Sequence, residues 1–145
     1  MPHAQCRIPA MTQEHVDEIP GVRVEPLLSY SDARGDLWKV HPEAVAGEVY
    51  AISIAPGTSR GHHLHLRCGE WFVGIMGEVA LVLERDGQRV ELALLGSRVF
   101  VPAGVSHALF AMGEETAVVI AMADRDDSSE DVERTPIRAP VGFEL

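Results

Sequence analysis

The stretch 57–77, GTSRGHHLHLRCGEWFVGIMG, decides the fold. Its runs of Val, Ile, Leu, Phe and Trp lie between glycines. Such side chains suit a pleated, half-buried surface, and glycine supplies the turns between short strands. Side chains alternate faces along a strand, so His63 and His65 point one way while His62 and Leu64 point the other. Residues 66–69 leave room for a turn before an adjacent strand begins at Glu70, which sets a carboxylate beside the two imidazoles. A second stretch, 96–107 (GSRVFVPAGVSH), leads through Pro102-Ala103-Gly104 into a strand that carries His107. A closed or folded-over sheet can bring that histidine to the same point despite its distance along the chain.

Three imidazoles and one carboxylate form a ligand set for a catalytic divalent metal, which needs nitrogen and oxygen donors converging from rigid elements with a position left open. Burying His63, His65, Glu70 and His107 without a partner would cost several kcal/mol, so a merely structural role for all of them is a poor account. His3, His15 and His41 read instead as surface or packing histidines. His62 is directed away from the ligands by parity but is close enough to reach substrate at the rim, as a candidate base. Arg60 stands at the mouth of the ligand strand, where its planar fork suits phosphate oxygens. Phe72 shares the inward parity of Glu70 and is expected to face substrate, and Tyr50 is a candidate proton donor if it faces inward.

The 145 residues, 46% of them hydrophobic, suffice for one domain with a real core. Residues 1–21 read as an arm, 22–123 as a β-domain and 124–145 as a loop-like tail, placed across the barrel mouth. Strands are expected over 22–28, 36–40, 47–54, 62–66, 70–76, 78–84, 89–94, 98–101, 107–111 and 117–122, with a hairpin at Arg85-Asp86-Gly87-Gln88. This density of short strands is that of an all-β sandwich or barrel, and helical periodicity is weak throughout.

A net charge of −10, with Lys39 the only lysine, excludes a phosphate-backbone partner, so no nucleic acid is expected. A small anion remains compatible, because a few arginines in one pocket outweigh distant charge. Cys6 and Cys68 show no disulfide framework, and Cys68 reads as a spectator thiol. The first residues lack a signal peptide's apolar core, and no stretch approaches membrane-spanning length. A cytoplasmic protein with no membrane partner is expected.

The two segments resemble the paired signature of the cupin superfamily. Its first motif, G-x5-H-x-H-x3,4-E-x6-G, is matched by Gly57, His63, His65, Glu70 and Gly77. Its second, G-x5-P-x-G-x2-H-x3-N, is matched by Gly96, Pro102, Gly104 and His107, with Ala111 in place of the final Asn. The resemblance implies a single-domain jelly-roll β-barrel, frequently a homodimer, with a divalent metal (zinc, iron, nickel or manganese) on His63, His65, Glu70 and His107.

Asp32-Ala33-Arg34-Gly35 and Arg60-Gly61-His62-His63 further resemble segments of cupins that remodel nucleotide-linked deoxysugars: the 3,5-epimerases, the 3,4-ketoisomerases and the zinc-bearing cupin domain of capsular-polysaccharide enzymes. That likeness makes His63 a general base, with His65 sharing the role in ketoisomerases, whereas the metal signature makes both of them ligands. Ordinary epimerases and ketoisomerases lack the whole metal set, so Glu70 and His107 favour a metal-bearing variant.

The function expected is epimerisation or isomerisation of a keto-sugar through Lewis-acid stabilisation of an enolate. The alternatives are an iron dioxygenase or a zinc or nickel cyclase acting on a small molecule, and a non-catalytic sugar-binding domain.

Overall fold

The computed structural model describes residues 13–41, 43–44, 46–125 and 131–143. Every run expected to be a strand carries one. In chain order the strands are β1 (Arg23–Pro26), β2 (Leu28–Asp32), β3 (Gly35–Lys39), β4 (Val49–Ile54), β5 (Ser59–His65) and β6 (Glu70–Met76). They continue with β7 (Val79–Arg85), β8 (Gln88–Ala93), β9 (Ser97–Val101), β10 (Ser106–Ala111), β11 (Ala117–Ala123) and β12 (Val132–Arg134). Two antiparallel five-stranded sheets, ordered β1-β9-β6-β11-β4 and β12-β5-β10-β7-β8, pack face to face as a jelly-roll sandwich. The period-2 pattern explains the core. Phe72, Leu81, Leu83, Leu92, Val99, Leu109 and Val119 fill the space between the sheets.

The outer faces are covered as well. On the second sheet Ala80, Val82, Ala108 and Phe110 point outward and receive Ile137, Ala139 and Phe143. Residues 131–143 therefore pack on the back of this sheet, not across the mouth, and they begin with a strand, β12, that pairs with β5. No sequence periodicity marks β12, because pairing with β5 creates it. Residues 126–130 of the charged stretch, and 1–12 of the leading arm, lie outside the described residues.

The rest of that arm is ordered by tertiary contact. A short helix, α1 (Gln13–Val16), sends Val16 into the core beside Ile19 and Val22. The Gln13 side chain donates to the Val22 carbonyl (2.7 Å) and accepts from the Val24 N–H (2.8 Å).

On the back of the first sheet Trp71 is buried with Val73 and Met122. The guanidinium of Arg23 lies 4.8 Å from the Trp71 ring and that of Arg98 lies 4.7 Å from it. Arg98 is also paired with Glu25 on the neighbouring strand. Strands β2 and β3 form a separate two-stranded hairpin with Leu28, Tyr30, Leu37 and Trp38 exposed. Among the described residues, no helix is long and apolar enough to cross a membrane.

One irregularity positions the site. Across β10 and β5, His107 lies opposite His63 while the next residue, Ala108, lies opposite Gly61, so His62 is an extra residue in a β-bulge. His62 and Gly61 both take left-handed backbone angles, φ 59° and 95°. A Cβ on Gly61 would stand 3.0 Å from the His107 carbonyl oxygen, so glycine is required there on two counts. Gly61→Ala is expected to lower unfolding stability by roughly 1–3 kcal/mol. Denaturant titration checks this, and an unchanged midpoint would refute the strained role of Gly61.

Candidate active site

The bulge resets strand parity. Beyond it Arg60 is paired with Leu109, a core residue, and so shares the inner face, while Ser59 is paired with outward-facing Phe110. Plain alternation from His63 would turn Arg60 outward. His62, read as a candidate base at the rim, keeps the outward direction that alternation gives it and is engaged there by other groups. Its Nε2 lies 2.9 Å from Ser59 Oγ, its Nδ1 accepts from the Ile137 N–H at 3.0 Å, and its ring meets Phe110 edge-on. Burial and then the Arg134 charge hold its pKa below the ordinary histidine value. His62 thus fastens the C-terminal segment and does not line the pocket.

The other residues singled out from the sequence come together. His63, His65, Glu70 and His107 each offer a donor atom, and these atoms all lie within 4.8 Å of one another. Each arrives from a rigid strand: β5 gives the two histidines on one face, β6 gives Glu70 in its first position, and β10 gives His107. The rings of His63 and His107 have centroids 4.8 Å apart, and those of His63 and His65 are 5.0 Å apart.

His65 Nε2 faces Glu70 Oε1 in a close pair, and the Tyr50 hydroxyl donates to Glu70 Oε2 at 2.5 Å. His107 Nδ1 lies 3.3 Å from the Val105 carbonyl oxygen; a proton on Nδ1 serves that contact and leaves Nε2 as the lone-pair nitrogen.

Burial, then the His63 charge, pushes the His107 pKa down to about 4, against the opposing pull of Glu70 and the Val105 carbonyl. Burial alone would raise the Glu70 pKa, but hydrogen bonds from His65 and Tyr50 and the nearby histidine charges hold it below the usual carboxylate value. Two of the four donors, His107 and Glu70, are therefore a neutral imidazole and an ionised carboxylate, the states that ligands need. These four residues fit a divalent metal.

Above them opens a pocket of about 410 Å³ lined by Tyr50, Arg60, His63, Phe72, His107 and Leu109 with neighbours on β4 and Gly61. Arg60 Nε donates to the Ser53 carbonyl at 2.9 Å, which fixes the guanidinium at the mouth. Phe72 sits 5.3 Å from the His107 ring, centroid to centroid, inside the core face of β6.

Sequence reasoning missed the supports of the turn between His65 and Glu70. Leu66 N–H donates to the Asp131 carbonyl (2.8 Å), Arg67 N–H and Cys68 N–H to Asp131 Oδ2 (3.0 and 3.3 Å), and Gly69 N–H to Asp124 Oδ1 (3.0 Å). No spacing rule links Asp131 to residues 64 positions away.

Residues 50–123 match the family described as the cupin domain. The chain is a cupin. Comparison with curated proteins finds no match. Solved structures similar to this cupin include a dTDP sugar isomerase from Desulfovibrio desulfuricans, 19% identical, with TM-score 0.75 over 81% of this chain and 85% of that one. A 3,4-ketoisomerase variant from Thermoanaerobacterium thermosaccharolyticum, in complex with TDP-4-keto-6-deoxyglucose, is 18% identical with TM-score 0.69, covering 81% and 89% of the two chains. A 3'-monoepimerase from Streptomyces bikiniensis, in complex with dTDP-quinovose, is 15% identical with TM-score 0.67, covering 79% and 69%. At such identities the likeness is one of fold.

The shifts of His107 and Glu70 give the metal-free cupin a defined pH response. The unfolded chain binds protons at His107 below pH 6.5, and the folded chain does so only near pH 4, so the unfolded state holds more protons in that window. Stability present above pH 6.5 is therefore lost as pH falls toward 4, on the order of 3 kcal/mol from this group. The depressed Glu70 pKa continues the loss in acid. Thermal melts of metal-free protein across this range, set beside His107→Gln, are expected to show a steeper decline for the parent. Parallel declines would refute the assignment.

Proposed function

We propose that this cupin is a metal-dependent isomerase or epimerase of a keto-sugar, with a nucleotide-linked sugar as substrate. The observation that carries the reading is the convergence of His63, His65, Glu70 and His107 at a pocket whose mouth holds Arg60 and whose wall holds Tyr50. The sugar-nucleotide ligands in two of the similar structures support the substrate class. A bound divalent ion (zinc, iron, nickel or manganese) supplies Lewis-acid polarisation of a substrate carbonyl.

The chain's residues divide the remaining work. Tyr50 holds a proton at Oη against Glu70 Oε2 and faces the pocket, so it is the group assigned to move a proton at the substrate. His63 lines the pocket and also belongs to the donor set; the ligand role is assigned to it, which leaves Tyr50 as the acid–base group. Arg60 is positioned to pair with a phosphate at the mouth, while Phe72 presents an apolar wall to the sugar ring.

A homodimer in the cytoplasm completes the reading. The exposed Leu28, Tyr30, Leu37 and Trp38 on a hairpin outside both sheets support self-association, because isolated two-stranded hairpins with apolar surface need a partner to bury it. Leu37→Glu with Trp38→Glu is expected to convert dimer to monomer in light scattering, and an unchanged mass would exclude this hairpin as the interface.

The decisive test combines elemental analysis of the purified protein with solvent-deuterium exchange on keto-sugar nucleotides. Incorporation of deuterium beside the ketone is expected, and none across a panel of such substrates would overturn the reaction class. His65→Ala and His107→Ala are each expected to abolish stoichiometric metal binding while the fold persists; metal content equal to the parent's in both would refute the ligand set. Tyr50→Phe is expected to retain metal and to lose about 10²–10⁴-fold in kcat.

A further inference from the structure

The turn that joins two of the candidate ligands is built from outside itself. All four backbone N–H groups of residues 66–69 donate to acceptors on two aspartates, Asp131 for the first three and Asp124 for the last. Asp124 also returns its own N–H to the Gly69 carbonyl at 2.9 Å. Asp131 is buried at 2% exposure, and its Oδ1 accepts from Arg67 Nε at 3.0 Å. Its carboxylate, the Cys68 sulfur and a ring nitrogen of His65 lie within 4.8 Å of one another. The same His65 faces Glu70 through Nε2. His65 is thus close to both Glu70 and the Asp131 carboxylate.

We infer that Asp131, assisted by Asp124, is a positioning residue for the metal centre: the C-terminal segment templates the 66–69 turn and thereby sets the distance and angle between His65 and Glu70. A turn of four residues between chelating groups has many conformations, and an N–H left unsatisfied in its buried half, Cys68 and Gly69, is costly. One carboxylate that accepts two successive N–H bonds selects a single conformation. Its negative charge, within 4.8 Å of a His65 ring nitrogen, also favours a cation bound to that histidine. The inference rests on the metal reading proposed above, and it adds residues to it that neither cupin motif contains.

Asp131→Asn keeps the shape of the side chain and removes its charge. Zn2+ and Co2+ affinities of the metal-stripped full chain, measured by competition with a chromophoric chelator, are expected to fall at least tenfold. The visible Co2+ spectrum is expected to change shape, and the far-UV circular dichroism to stay that of the parent. Asp124→Ala, at a partly exposed side chain that accepts only the last turn N–H, carries the test if Asp131→Asn fails to fold, with a several-fold loss expected. As a control Arg67→Met, which leaves every backbone bond to Asp131 in place, is expected to bind within threefold of the parent.

A merely structural Asp131 would lower the melting temperature of the metal-free form and leave affinity and Co2+ spectrum unmoved; that result overturns the inference alone. A parent chain that binds neither ion overturns the metal reading and this inference together.

Discussion

The register that sets His63 directly opposite His107 across β5 and β10 is the constraint on which the structure depends. Directly paired residues have their Cβ atoms about 5 Å apart, close enough for two imidazoles to share one ion. A slip of one residue would turn His107 to the outer face and bury the wrong side of β10. The core resists that slip. Leu81, Leu83 and Leu109 lie on the same face as the histidines, so the packing that stabilises the sandwich also holds the donors in register. Immediately beyond the pair, the bulge changes parity, and the departure is confined to His62 and Gly61.

Much of this was legible in the sequence because two local rules suffice for it. Period-2 alternation and glycine-bounded runs locate the strands, and the same alternation places His63 with His65 and Phe72 with Glu70. The failures have one physical origin, which is that pairing partners are remote. Arg60 turns to the inner face because β10 imposes a bulge that β5 alone does not encode, and His62, outward as alternation has it, is taken up by the C-terminal segment instead of the pocket rim. Strand β12 and helix α1 are too short to show a period and exist through contacts with β5 and the core. Asp131 looks like one more charge in an acidic run, and only the fold shows it accepting from the turn it supports.

The electrostatics separate the site from the surface. The chain is strongly acidic overall, yet the candidate centre is three imidazoles around a single carboxylate whose charge is already shared with Tyr50 and His65. Burial keeps His107 neutral, and the neighbouring donors keep Glu70 ionised. Neither state requires a metal to be imposed first, so these two donors need no deprotonation near neutral pH.

Trp71 gives the molecule an optical property of its own. The indole is buried between Arg23 and Arg98 on the back of β6, one residue from Glu70, whereas Trp38 stands exposed on the β2–β3 hairpin. The two fluorophores therefore emit from unlike surroundings, the buried one toward the blue and the exposed one toward the red. An open-shell ion held by Glu70 would quench the blue component by proximity, and closed-shell zinc would spare it. The protein's own emission would in this way separate an open-shell ion from zinc, were either bound at the four donors.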